Sequence, residues 1–413
     1  MIPLRLNEIE ALSNGQLEAA PGAGEVTGVQ VDSRRVVPGD LFVAVGRGAE
    51  FVDDAKARGA AATLVPEEPF ATFAALGSAV RDRTGARVVG ITGSTGKTST
   101  KDILAALCAP AARTVATEAN FNNEIGVPLT LCRLEPDTEV CILELAMRGL
   151  GQIADLCAIA RPDIGVVTNV GPVHLELVGS LEGVLQAKSE LIAALPPGGT
   201  AIVPVAFPLA REDIDVVRLG EADGRLEDGR TVVDGVSFNF TAQHHAANAA
   251  AALAALEALG LPRPERVDVE FSRWRGEDVP LAGGGLLIND AYNANPDSMR
   301  AALRYLADAA GDRRRVAVLG DMAELGPGAP GFHEEIGAEA EHQGVGALVA
   351  VGELARGYLD GGGGIAVTRW APDAASAVAA VEDVVQPGDC VLVKASRSVG
   401  LERVAEALAA VSA

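Results

Sequence analysis

The run Arg87–Leu104, "RVVGITGSTGKTSTKDIL", constrains this chain more than any other part of it. An apolar, β-branched stretch leads into a glycine-rich turn, and the turn opens on a helical pattern. Strand, tight turn and helix in that order belong to an α/β layer with a mostly parallel sheet, and they aim unpaired helix N–H groups past the end of the strand. The residue types then point to phosphate. Backbone N–H groups of Gly93, Ser94, Thr95, Gly96 and Lys97 would cradle it, with Ser99 in the same first turn. Lys97 would neutralise charge and Thr98 would reach a Mg2+ ion. Counting back from Gly96-Lys97-Thr98, the common phosphate-loop template asks for glycine where Ile91 stands, so the loop is a shortened form. A simple Gly/Ser/Thr cap with a surface lysine is the competing reading, and it leaves the Gly-x-x-Gly-Lys-Thr spacing on a strand-to-helix turn unexplained.

The same alternation of strand and helix continues on both sides. Residues 1–84 read as a small α/β module, with two short strands around Pro38-Gly39-Asp40, an Ala-rich helix and the strand "AATLVP". Residues 85–262 read as a central parallel-sheet domain with helices at 98–112, 152–160, 181–195 and 246–259, and an antiparallel excursion over 211–240. A linker is expected at Gly260-Leu-Pro-Arg-Pro, and residues 263–413 repeat the pattern as a third, Rossmann-like α/β domain. The chain has 413 residues, enough for three cores, and its 34 basic against 56 acidic residues give a formal charge of -22. Such a balance repels nucleic acid and anionic lipid, so any phosphate is held locally. Five cysteines without C-x-x-C spacing sit in apolar runs and read as reduced thiols of a cytosolic protein. The acidic N-terminus lacks the pattern of a signal peptide, and no apolar run reaches membrane-spanning length, so a cytoplasmic enzyme of small molecules is expected.

Lysine is scarce: Lys56, Lys97, Lys101, Lys188 and Lys394 are the only five among 34 basic residues. Where a chain otherwise writes arginine, a retained lysine marks a place where guanidinium chemistry does not serve. Lys188 lies on an amphipathic helical pattern, where a solvated side chain is the plain alternative. Glu144 ends the strand "CILEL" and His174 follows the next apolar strand, so both stand at the sheet edge that holds the loop; a solvated acid and a bland loop histidine are the alternatives. Asn122 and Asn123 read either as turn formers or as neutral donors to a substrate. In the third domain Asp290 ends "LLIND" and could hold a ribose or a metal, while Asn293 and Asn295 lead into a helix that starts near Pro296. Asp321 and Glu324 follow another strand, either holding a cationic amine or capping a helix near His333. Lys394, Ser396 and Arg397 stand at a strand's carboxyl end, the usual crevice for ligands.

These pieces in this order resemble the Mur ligase family. The likeness is carried by "DSRRVVPGDLFVAV", "GITGSTGKTSTKD", "NFNNEIGVPLTL", "ELAMRGLGQIADL", "VVTNVGPVHLELVGSLEGVLQAKSELI", "NDAYNANPDSMRAAL", "VAVLGDMAELG" and "VLVKASRSVGLERV", which together run from residue 31 to about 405. The resemblance implies an ATP-dependent amide ligase of cell-wall precursor synthesis. In the family the γ-phosphoryl group passes to a substrate carboxylate, an amine attacks the acyl phosphate, and ADP and phosphate leave. It implies a UDP-linked muramoyl tripeptide as the acid and D-alanyl-D-alanine as the amine, and a monomer. By the family pattern Lys97 and Thr98 serve the phosphate loop, Thr98, Glu144 and His174 the metal, and Lys188 becomes a carbamate. Asn248, Arg275 and Asp290 fall on the nucleotide; Ser33, Asn122, Asn123, Asn293, Asn295, Asp321, Lys394, Ser396 and Arg397 fall on the other substrates. Two departures stand out. His245 occupies the first asparagine of the family's His-Asn-x-x-Asn pattern, and the first domain lacks the family's Asp-Gly-His-like turn after "DLFVAV". They motivate two alternatives: a non-catalytic nucleotide-binding regulator on the same fold, or a related ligase for another carboxylate.

Overall fold

The computed structural model describes residues 1–222 and 224–411, an α/β protein with two large six-stranded sheets and a smaller unit at its N-terminal end. In the first unit a four-stranded sheet runs in the order Gly15–Ala19, Ala62–Pro66, Asp40–Val43, Gly28–Gln30. The strands on either side of Pro38 are parallel neighbours joined through a short 3-10 turn at Ser33–Arg35. Asp40–Val43 is buried along its length between two parallel partners, which explains its unbroken apolar "LFV". The long helix of this unit, Pro69–Arg81, buries Phe73, Leu76 and Val80 in a core that it shares with Val127, Leu131 and Leu156 of the central unit. It crosses the helix Gly126–Leu131 at Gly77, where a Cβ would stand 2.9 Å from the Pro128 Cα, so the two backbones touch through a residue with no side chain.

The central sheet is entirely parallel, in the order Asp215–Leu219, Thr200–Pro204, Ile164–Val167, Arg87–Thr92, Val140–Glu144, Thr114–Ala116. From Arg87–Thr92 the chain goes first to the edge strand Thr114–Ala116, comes back beside its start as Val140–Glu144, and then builds outward on the other side, so the strand order reverses at the carboxyl end of Arg87–Thr92. In open α/β sheets that reversal opens a crevice. The helix Lys97–Cys108 leaves this point and packs on the Ala-rich helix His244–Ala258, whose small side chains allow a close approach. The stretch expected as an antiparallel excursion divides in two. Asp215–Leu219 is a parallel edge strand whose exposed "DVVR" hides the pattern of an inner one, and Arg225–Glu227, Arg230–Val233 and Val236–Phe238 are antiparallel. The chain also does not leave the central unit at Gly260, because Arg266–Val267 pairs back onto Val236–Phe238.

The third sheet runs Glu277–Leu281, Gly285–Asp290, Cys390–Lys394, Arg315–Gly320, Ala347–Val351, Val367–Ala371, parallel except for its first, antiparallel strand. That edge strand, "EDVPL", has the half-exposed alternation and the proline that only an edge tolerates. The helix expected near His333 starts at Ala329. All five cysteines are free and buried, and among the described residues no helix is long and apolar enough to cross a membrane.

Candidate functional site

The glycine-rich turn has the backbone its sequence demands. Gly93 has φ 151 and Gly96 φ 77. A Cβ would lie 1.8 Å from the Thr168 hydroxyl at the first and 2.2 Å from the Asn248 amide oxygen at the second. Only glycine fits either place. The N–H groups of Ser94 and Thr95, expected to face phosphate, instead donate to Asn169 Oδ1 at 2.9 and 2.8 Å. The cradle is therefore the start of the helix itself: no side chain caps Gly96, and the N–H groups of the first turn that follow have no partner within the helix. Asn169, unmarked in the sequence, ends the neighbouring strand-to-loop segment and holds the turn's shape.

Lys97 donates to the Gly93 carbonyl at 2.7 Å. Burial pulls its ammonium pKa down, while Glu144 opposes that shift and Arg275 adds to it. The Thr98 hydroxyl donates to one oxygen of Glu144 at 2.8 Å, and the Asn122 amide donates to the other at 2.8 Å. Glu144 is 1% exposed, so this is a buried anion with each oxygen still able to accept one more ligand. His174 lines the same cavity, but its Nδ1 is engaged by Glu324 rather than joining Thr98 and Glu144 directly. Among the described residues no three His, Cys, Asp or Glu side chains converge on one point. A cation held here by Glu144 and Thr98 would draw its remaining ligands from phosphate oxygens and water, which suits Mg2+.

Lys188 is not on a solvated face. It is 2% exposed, and it carries no hydrogen bond or ion pair among the described residues. Burial drives its pKa well below the ordinary lysine value, and the nearby Lys97 charge pushes it the same way. The amine is thus held towards its neutral, nucleophilic form. The other rare lysines divide. Lys56 makes an exposed ion pair with Glu18 at 2.7 Å. Lys101 is buried against Asp102 at 2.5 Å and the Thr117 carbonyl at 3.0 Å, and Asp102 in turn accepts from the Ser272 N–H at 2.9 Å. That pair ties the linker to the second turn of the phosphate-loop helix.

Across the cavity Lys394 pairs with Asp290 at 2.5 Å and donates to the Asn293 carbonyl at 2.9 Å, so Asp290 answers a buried cation. Arg275 lies over the Tyr292 ring at 3.9 Å with its buried Nε unpaired, and Arg397 lies over Trp274 at 4.6 Å. An orphaned guanidinium nitrogen in a polar cleft fits an anionic ligand. His245 stacks on Phe271 at 4.4 Å and meets Phe240 edge-on, while Asn248 stays against the loop at Gly96. The substituted histidine therefore forms part of an aromatic wall. Asn123 and Asn295 take the turn-forming role: the first accepts from the Gly126 N–H, and the second caps the helix Pro296–Ala310. Ser396 Oγ accepts from the Ala323 N–H at 2.9 Å.

The helix start at Lys97 and Thr98, with Glu144, His174, Arg275, Lys394 and Arg397, lines one cavity of about 1120 Å³ between the central and third units, with Phe70 alone from the first unit. Four expected residues lie outside its lining: Gly93, whose carbonyl holds Lys97, the buried Lys188, Asp321 and Ser33. Asp321 turns away to accept from the Ala355 N–H at 2.7 Å, capping a helix, and Ser33 is buried in the first unit beside Asp54.

Comparison with known proteins agrees with this arrangement. The Mur ligase middle domain matches residues 91–256, and the Mur ligase, glutamate ligase domain matches residues 274–397. The UDP-N-acetylmuramoyl-tripeptide--D-alanyl-D-alanine ligase of Synechocystis sp. is 35% identical over 93% of this chain and 92% of its own length. Its namesake in Escherichia coli is 32% identical over 99% of both chains. Among solved structures, MurF from Acinetobacter baumannii superposes with a TM-score of 0.84 at 26% identity over 99% of each chain. MurF ligase from Thermotoga maritima, in complex with ADP, does so with 0.78 at 28% identity over 93% of this chain and 97% of that one.

Proposed function

This chain belongs to the Mur ligase family, and we propose that it joins D-alanyl-D-alanine to UDP-N-acetylmuramoyl-tripeptide at the expense of ATP. The observation that carries the reading is the cavity itself: an uncapped helix start with Lys97 upon it and a buried carboxylate with a hydroxyl upon it face Lys394 and Arg397 across one cleft. A carboxylate is a poor electrophile at neutral pH, so bound ATP supplies the phosphoryl group that turns it into an acyl phosphate, with Mg2+ spreading the charge.

The residues of the chain do the rest. The first-turn N–H groups and Lys97 hold the phosphates and offset their charge; Thr98 and Glu144 hold the cation. Lys188, held towards its neutral form and without a partner among the described residues, adds its amine nitrogen to CO2 and gives up one proton to water, so that a buried amine becomes a carbamate anion near Lys97. Arginine offers no such chemistry, which accounts for lysine at this position. Arg275, the His245–Phe271 wall and Asn248 receive the nucleotide, and the Lys394–Arg397 segment receives the amine. The first unit holds the uridine nucleotide. The enzyme acts as a monomer in the cytoplasm, where its five free cysteines stay reduced.

Phosphate release from ATP that requires both the UDP-muramoyl tripeptide and D-alanyl-D-alanine is the expected result. Release independent of either substrate would reject the ligase reading, and no release at all would return the chain to a non-catalytic nucleotide-binding regulator. Lys188→Ala should lower turnover by roughly 10²–10³-fold, the scale for losing one preorganised charged group, and abolish the carbamate signal in 13CO2-equilibrated protein. A variant turning over at the wild-type rate would make Lys188 a packing residue.

A further inference from the structure

Glu324 stands on the third unit and reaches the central one. Its Oε2 lies 2.5 Å from Nδ1 of His174, its Oε1 lies 3.6 Å from Arg148, and its carbonyl accepts from the Glu176 N–H at 3.3 Å. Both members of the main pair have left-handed backbone, His174 at φ 53 and Glu324 at φ 62. For residues other than glycine that conformation is unfavourable and persists only where the surroundings impose it. On the third unit the surroundings are visible. The Met322 N–H donates to His333 Nε2 at 3.0 Å and the Ala323 N–H donates to Ser396 Oγ at 2.9 Å, so the two residues before Glu324 are pinned. His333 is itself fixed by the Ala329 carbonyl at 2.6 Å. Glu324 is a rigid post, and Ser396 builds it from the same segment that carries Lys394.

A carboxylate can only accept, so the proton of the His174 ring sits on Nδ1. In the uncharged ring Nε2 is then the nitrogen with a lone pair, and it carries no hydrogen bond among the described residues. The ring lines the cavity with Thr98 and Glu144. Left alone, a histidine on a positive-φ turn would have neither its tautomer nor its ring angle fixed, because both are set by what the other nitrogen bonds.

We propose that Glu324 is a positioning residue for the ligase reaction: arriving with the third unit, it fixes His174 in the tautomer that leaves Nε2 as a free acceptor at the phosphate cavity. The proposal rests on the ligase reading above. Docking of the third unit then does two things in one movement, delivering the amine-receiving segment and setting the imidazole.

The test uses the full-length protein with 15N-labelled histidine, in which His174→Ala identifies the His174 signal among five histidines. Wild type should show the Nδ1–H tautomer. Glu324→Ala should lose it and should lower kcat by roughly 10–100-fold, the usual cost of removing such an outer partner, with KM for ATP changed less than about 3-fold. Glu324→Gln keeps an accepting oxygen in the same shape and should restore both the signal and most of kcat. Arg148→Ala should leave the His174 signal in place. An unchanged His174 tautomer in Glu324→Ala, or its loss in Arg148→Ala, overturns the proposal. The tautomer is read without substrates, so it decides the role of Glu324 even if wild type shows no substrate-dependent phosphate release and the ligase reading fails.

Discussion

Where the first unit meets the central one, Phe73, Leu76 and Val80 share a continuous apolar core with Val127, Leu131 and Leu156, and backbone meets backbone at Gly77. Where the third unit meets the central one, the main feature is a polar cavity of about 1120 Å³, bridged at its rim by Glu324 with His174 and Arg148. Apolar burial of the first kind is lost if the surfaces part, because interiors pack densely and do not slide. A polar cleft is different: its groups exchange partners with water at little net cost. The first joint therefore fixes a platform and the second is the joint that opens, as an enzyme needs when a nucleotide, an acid and an amine must all enter before water is shut out.

The comparison can be broken most severely at the platform. Phe73→Ala should cost about 3–5 kcal/mol in denaturant unfolding and should destabilise the first and central units together. A first unit that melts separately, leaving the central one intact, would show that the shared core does not couple them. The second joint should respond to salt instead. At about 1 M salt the Debye length falls to roughly 3 Å, so the Arg148–Glu324 ion pair weakens and small-angle scattering should report a more open chain. Phe73 should stay as buried as before, read by protection of the Pro69–Arg81 amides from exchange. The smallest effect belongs to the surface of the first unit. Arg34, by its hydrogen bonds, lowers the Asp32 pKa from 3.8 to about 2. The folded value lies below the unfolded one, so this contribution is present above pH 3.8 and is lost as pH falls through about 2. Arg34 is 80% exposed, so Asp32→Asn should cost under about 1 kcal/mol at neutral pH.

What the sequence made legible follows the same division. The phosphate turn could be read because its glycines are dictated by contacts within a few residues of strand, turn and helix, and the parallel sheet followed from the alternation around it. Lys188 was legible only through the rarity of lysine, since the pattern of its helix does not say that the polar side of that helix is also covered. Asn169 carried no mark, and Glu324 reads in the sequence as holding an amine or capping a helix, not as a partner of His174. One acts across neighbouring strands and the other across the opening joint, and neither distance is written in local spacing. The strand Asp215–Leu219 was misjudged and Glu277–Leu281 passed without a reading for a related reason: edges face solvent on one side and lose the apolar continuity that reveals inner strands. Asp321 looked like its neighbour Glu324 at a strand end, yet one side chain caps a helix while the other crosses the cleft.

The Lys101–Asp102 pair leaves the swinging unit on a short tether. Ser272 is bound to Asp102, and Arg275 follows three residues later. Fully extended, three residues span roughly 11 Å at most. However widely the third unit gapes, the Arg275 guanidinium remains within arm's length of the nucleotide's own helix, so a departing product leaves behind an anion receptor already half assembled for the next one.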